Sequence, residues 1–218
     1  MTANKSTVSA PGDFLIAGKK RVSHWRASEA TLTVGGDPAL WKKAFTDYFH
    51  ARLSYRYLKP LETLQVSGLL RGEGFSIVAI QCSLIEFLES SIQGKSYRHR
   101  RNGDPPLGQH EYSNSRSMFE SFLMNRAPFD GEFMTQQLAH EFYVSVRCGV
   151  LHEARTKNGW TIRAKSKTGQ VIDATLKIVY RDNFQLGLLR FVEWYKGELP
   201  SRRDLQEAFL RKFDSLCL

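Results

Sequence analysis

The stretch from 75 to 95, FSIVAIQCSLIEFLESSIQGK, constrains the fold more than any other part of the chain. Its apolar residues cover nearly every side of a helical projection, with Ile77, Ile80, Leu84, Phe87, Leu88 and Ile92 on the densest stripe. Such a helix cannot lie on a surface, because exposed apolar area costs roughly 25 cal/mol per Å2. Other elements must surround it. Gly94 stands where a left-handed residue would close it. Glu86 lies inside the run and is expected at an exposed edge or paired with an arginine.

The rest of the chain supplies the surround. Asp37 followed by Pro38 predicts a helix start, a cap and then a proline in the first turn. Beyond it, Leu40, Trp41, Ala44, Phe45, Tyr48, Phe49 and Leu53 recur at helical spacing, and Pro60 is expected to kink or divide the helix. SRSMFESFLMNR reads as a short helix capped by Ser115 or Ser117. TQQLAHEFYVSVRCGVLHEA reads as another, with Leu138, Phe142, Val146 and Val150 on one side. Two more helices follow, in NFQLGLLRFVEWYKGEL and SRRDLQEAFLRKFDSL. Between them and the preceding helix, GWTIRAKSKTGQVIDATLKIVYR changes to alternation and β-branched residues. This predicts a hairpin turning at Thr168-Gly169, with a loop and a single strand as the alternative. The expected fold is mainly α, a helical bundle with a small β-hairpin near 160–180. Residues 1–36, with a short strand at TLTV, are expected to be peripheral, and 37–218 to form one helical domain.

Composition narrows the function. The chain has 218 residues, 42% hydrophobic and 12% aromatic, enough for a real core. No apolar run approaches the length of a membrane span, and the N-terminal sequence lacks signal-peptide order, so a cytoplasmic protein without membrane contact is expected. Cys82, Cys148 and Cys217 are isolated, which implies free thiols and no zinc-like cluster. A net charge of +9 favours a polyanionic partner. Lys95 to Arg101 holds four cations and a histidine around Tyr97, suited to phosphate contact or to a solvated loop.

Arg147 and His152 draw attention in RCGVLHEARTKNGW. Five residues on a straight helix rotate by about 500°, ~140° net, so the two would face different sides. Either the helix breaks near Gly149, or a second subunit completes the pair across a two-fold axis. Arginine grips phosphate with parallel hydrogen bonds, and histidine moves protons near neutral pH. Together they suit RNA cleavage, in which a base activates the 2′-hydroxyl and an acid protonates the leaving 5′-oxygen. No metal or other cofactor is called for.

The segment FYVSVRCGVLHEARTKNGW resembles the signature of the HEPN superfamily, an arginine, four to six residues, then histidine. SMFESFL and the helix before GKSYR are also similar to helices of that superfamily, and the likeness spans roughly 38 to 215. The resemblance implies a dimerising helical bundle whose two motifs face one cleft. It implies a metal-independent endoribonuclease of the toxin–antitoxin or defence type, leaving 2′,3′-cyclic phosphate and 5′-hydroxyl ends, with RNA as substrate and an antitoxin protein as a candidate partner. Arg147 would then polarise the scissile phosphate and His152 would serve as general acid or base. Cys148 departs from the family, which commonly has a polar residue there. His140 and Tyr143, at i−7 and i−4 from Arg147, are candidates for the missing role. Arg155, Lys157, Arg163, Lys165 and Lys167 add five cations without an acid over thirteen residues, and Trp160 among them could stack on a base. Cys148 also supports the alternative, a non-catalytic module binding RNA or protein.

Overall fold

The computed structural model describes residues 12–67 and 72–218. Two short strands, β1 (Leu15–Ala17) and β2 (Lys20–Arg21), pair antiparallel and lead into α1 (Val22–Glu29). This segment is not peripheral. Ile16, Ala17 and Trp25 are wholly buried. The Trp25 ring lies 5.0 Å from Tyr48 and 5.2 Å from Phe213, and its Nε1 donates to Asp214 at 2.8 Å. An indole with its one donor satisfied is core material, whatever the polar company it keeps in sequence. TLTV forms no strand. Residues 1–11 lie outside the described residues.

Asp37 caps α2 (Pro38–Ala44) by accepting from the Ala39 amide at 2.8 Å. The helical path then runs on through a π-helical segment (Phe45–His50), α3 (Ala51–Leu53), a second π-helical segment (Ser54–Leu58) and α4 (Lys59–Ser67). Pro60 therefore does not divide it. The wide turn just upstream is where a proline's conflict with the preceding turn is absorbed.

The long helix α5 (Glu73–Gln93) ends at Gly94 in the left-handed region, φ 62°. A Cβ there would stand 2.6 Å from the Ala208 Cα, so glycine serves both the turn and the crossing of a later helix. By length and hydropathy α5 meets the criteria for a membrane span, contrary to the sequence expectation, and 61% of that window is buried inside the protein. A surrounded core helix has the same composition as a span. Its neighbours are α4, then α6 (Ser115–Asn125), and the helices nearer the C-terminus. Two two-residue strands, β3 (Ser96–Tyr97) and β4 (Glu111–Tyr112), pair in parallel across the loop between α5 and α6. The cap of α6 is Asn114, whose side chain accepts from Ser117 N at 3.2 Å, rather than either serine.

Thr135 caps α7 (Gln136–Phe142), which passes through a third π-helical segment (Tyr143–Cys148) into α8 (Gly149–Glu153). A three-stranded sheet follows, β5 (Thr161–Arg163), β6 (Ile172–Asp173) and β7 (Ile178–Tyr180), in the order β5-β7-β6. Its hairpin joins β6 to β7 and turns at 174–177, not at Thr168-Gly169, and β5 runs parallel to β7. Glu132 explains the shift: its carboxylate accepts from the Val171 and Ile172 amides at 2.7 and 2.8 Å and fixes where the second strand begins. Helices α9 (Arg181–Glu198) and α10 (Arg203–Ser215) complete the wrap around α5. The fold is mainly helical with small sheets.

One charged pair sits beneath the bundle. Glu89 of α5 is wholly buried and accepts from Arg126 Nε at 2.8 Å and Nη2 at 3.1 Å, and from Ser121 Oγ at 2.8 Å. Within the apolar run of α5 the arginine-paired acid is thus Glu89, not Glu86. Glu86, half-buried, is held by hydroxyls instead, accepting from Tyr112 at 3.0 Å and Ser115 at 2.9 Å.

Candidate functional site

The helix carrying Arg147 and His152 is anchored by Phe142. That buried ring stacks on Phe184 at 5.9 Å and meets Phe133 and Trp160 edge-on at 5.1 and 5.4 Å. Trp160 is 3% exposed and donates through Nε1 to Glu141 at 3.1 Å. It is a core residue that offers no free face to a base. The sequence suggested stacking because Trp160 sits among cations, but the chain turns it inward between them.

Gly149 does not break the helix. Its backbone is right-handed, φ −58° and ψ −50°. The chain returns over it instead: a Cβ would stand 2.5 Å from the Arg155 carbonyl oxygen. Lys157 N donates to Ser145 O at 2.8 Å and Asn158 Nδ2 to Ser145 Oγ at 2.9 Å, stitching the returning strand to the helix. The reversal uses left-handed backbone at Ala154, Asn158 and Gly159.

Arg147 is half-buried, with its guanidinium carbon 5.2 Å from the Tyr143 ring centroid and Nη1 3.9 Å from Cys148 Sγ. Tyr143 stands edge-on to Phe119 at 5.4 Å. Burial raises the Tyr143 phenol, the Arg147 cation lowers it, and Cys148, hydrogen-bonded to it, raises it again. Cys82 lies buried on the α5 side, its thiol pushed up to about 12 by burial and partly drawn back by Arg147. Glu86 is near enough to act on the Tyr143 phenol as well. Tyr143, Arg147, Cys148, Cys82 and the Glu86–Tyr112–Ser115 group therefore form one neighbourhood where α5, α6 and the motif helix meet.

Arg147 differs from the other half-buried arginines. Arg126 faces Glu89, Arg181 faces Glu73 at 3.0 Å, and Arg98 faces Glu111 at 2.7 Å. Arg52, and the buried lysine Lys212, have no ion-paired acid among the described residues but donate to the backbone carbonyls of Ile16 and Lys95. Among the described residues Arg147 has only a thiol and a ring face. A desolvated cation left in that state favours an incoming anion.

The remaining candidates separate. His152 is exposed in the last turn of α8 and makes no hydrogen bond or ion pair with a described side chain, and none with Arg147. His140 is bound through Nδ1 to the buried Glu120 at 2.9 Å, which also accepts from Gln136. That carboxylate, not Arg147, is its partner. Arg155 and Lys157 both reach Glu153, at 3.2 and 2.5 Å, so their charge is half spent locally. The hydrogen bonds from Lys157 and then Arg155 hold the Glu153 carboxyl below its usual range. Arg163, Lys165 and Lys167 are exposed and without an acid partner among the described residues. Sequence reasoning missed Tyr112 and Ser115, whose hydroxyls lie far from Glu86 in the chain. Glu86 itself is legible in the sequence as a charge inside an apolar run. Among the described residues no group of three or more His, Cys, Asp or Glu gathers as metal ligands. Compared with known proteins, the chain matches no family model, no curated protein and no solved structure.

Proposed function

We propose that the protein acts on RNA as a HEPN-type homodimer, an endoribonuclease in which Arg147 binds the scissile phosphate and His152 transfers the proton. The observation that carries this reading is Arg147 itself: half-buried, held over Tyr143, and without a carboxylate among the described residues. A phosphate oxygen would supply the missing counter-charge through parallel hydrogen bonds. His152 lies on the next stretch of the same helix, open to solvent and to a second subunit. Since the two side chains do not meet within one chain, a two-fold pairing would let each cleft draw its arginine and histidine from both copies. In this mechanism the imidazole takes the 2′-hydroxyl proton or returns one to the 5′-oxygen, and the guanidinium stabilises charge on phosphorus as it builds.

Cys148 favours a second reading. It shares hydrogen bonds with Arg147 and Tyr143, where an amide or imidazole would bind phosphate more strongly. On that reading the same surface binds RNA or a protein without cleaving. An RNA cleavage assay with EDTA separates the two, comparing wild type, Arg147→Ala and His152→Ala on structured and unstructured RNA. The nuclease reading expects cyclic-phosphate products from the wild type alone. Intact RNA with all three folded proteins would leave the binding module.

A further inference from the structure

The loop between α5 and α6 places an aromatic ring in water and then fixes it there. Tyr97 of β3 is 52% exposed. Its ring stands edge-on to Tyr112, with centroids 5.6 Å apart and planes at 69°. The backbone on both sides is pinned: Ser96 N donates to His110 O and Arg98 N to Tyr112 O, each at 2.9 Å. Arg98 is committed to structure, through Glu111 at 2.7 Å and the carbonyls of Pro105 and Pro106 at 3.0 and 2.7 Å. Lys212 holds the start of the loop through the Lys95 carbonyl at 2.9 Å. An exposed tyrosine on a loop tied down this way has little left to lose when a flat partner covers it.

Its surroundings indicate what that partner is. The side chains of His99, Arg100 and Arg101 follow directly, all exposed and with no ion pair among the described residues. On the other side, Tyr112 and Ser115 both donate to Glu86, Ser115 opens α6, and Phe119 one turn along α6 meets the Tyr143 ring that lies under Arg147. The exposed ring and the unpaired guanidinium are thus the two ends of one chain of contacts. Unpaired cations beside a fixed aromatic face suit a single strand, whose bases are free to stack while its phosphates follow the charge.

We infer that Tyr97 is a stacking platform for an unpaired base of single-stranded RNA, with Arg100 and Arg101 on the flanking phosphates, leading the strand toward Arg147. This inference rests on the RNA reading above but not on catalysis. It assigns to Tyr97 the role that the sequence suggested for Trp160.

The test is fluorescence anisotropy with a labelled, unstructured 12-nucleotide RNA and a labelled RNA duplex. It uses His152→Ala protein so that cleavage cannot consume the probe. Adding Tyr97→Ala should weaken single-strand binding about 5- to 150-fold and leave duplex binding unchanged. Tyr97→Phe and Tyr97→Trp should bind as tightly as the parent. Arg100→Ala should lower the slope of log affinity against log salt by about 0.7. Thermal melts check that each variant is folded. Equal single-strand affinity with and without the Tyr97 ring, or equal losses on duplex and single strand, would overturn the platform. So would a parent protein that binds neither RNA. Cleavage by the wild type is scored separately, so a protein that binds through Tyr97 and never cuts would remove the nuclease reading and keep this one.

Discussion

Lys212 offers a test that reaches from a single buried charge to the stability of the whole chain. It is 6% exposed in α10, donates to Ser90 Oγ at 2.7 Å and Lys95 O at 2.9 Å, and lies 5.4 Å from the Phe87 centroid. No carboxylate stands within ion-pair distance among the described residues. Burial, and after it the neighbouring Arg52 cation, push its amine from 10.5 down to about 8, against a smaller pull from Glu86. A lysine whose folded pKa lies below its unfolded one weighs on the folded state wherever both states carry the proton, here below pH 8. Between about 8 and 10.5 the folded protein releases the proton first, and that weight is lifted. Stability from this group therefore rises with pH. The full difference would be about 3.4 kcal/mol, of which about 2 kcal/mol should appear between pH 7 and pH 9.5.

The perturbation is Lys212→Met, which keeps the length and apolar contacts of the side chain and removes its titration. At pH 7 the variant loses two hydrogen bonds, about 1–3 kcal/mol, and gains relief from the buried charge, so it should lie within about 2 kcal/mol of the wild type. Urea unfolding of both proteins from pH 6 to 9.5, followed by tryptophan fluorescence, gives the comparison. Taking the difference cancels Cys82, Tyr112 and Tyr195, which burial raises in both proteins and which lower stability at the alkaline end. The wild type should gain about 2 kcal/mol on the variant across that range. A difference that stays flat within about 0.5 kcal/mol, or moves the other way, would refute the assignment of a depressed amine at Lys212.

Two further substitutions probe the scaffold. Arg126→Ala leaves Glu89 wholly buried without its counter-charge, and should cost about 3–5 kcal/mol in urea unfolding at pH 7, with part of the loss recovered by Glu89→Gln in the same chain. Gly149→Ala drives a Cβ to 2.5 Å from the Arg155 carbonyl oxygen, and should cost about 1–3 kcal/mol and loosen residues 155–158 in amide exchange, an outcome absent if the returning loop simply shifts aside.

The sequence made the helices legible where one physical rule acts alone. The burial of α5 follows from an apolar run with no polar side, its end from Gly94, and the start of α2 from Asp37 and Pro38. What escaped depends on distant partners. β5 pairs with β7 in parallel, and Glu132 decides where β6 begins, across about 40 residues of chain. Trp25 and Trp160 sit among polar neighbours in sequence and go inside because remote aromatic rings receive them. The candidate site shows the same division. Arg147 and His152 were visible as residue types at a spacing, whereas Glu153 tempering Arg155 and Lys157, Glu120 holding His140, and the hydroxyls on Glu86 required the fold.

The π-helical segment from Tyr143 to Cys148 has a consequence for how such a site can be lost. Each of its hydrogen-bonded rings encloses one residue more than an α turn does. A one-codon deletion at Val144 would let an ordinary turn close between the same two ends, leaving α7 and α8 in place. Tyr143 and Arg147 would then stand three apart instead of four, and the guanidinium would meet the ring from a different angle. The count from Arg147 to His152 would be untouched, and every residue of the candidate site would still be present. A chain altered in this way would keep the whole inventory of its site and lose only the arrangement.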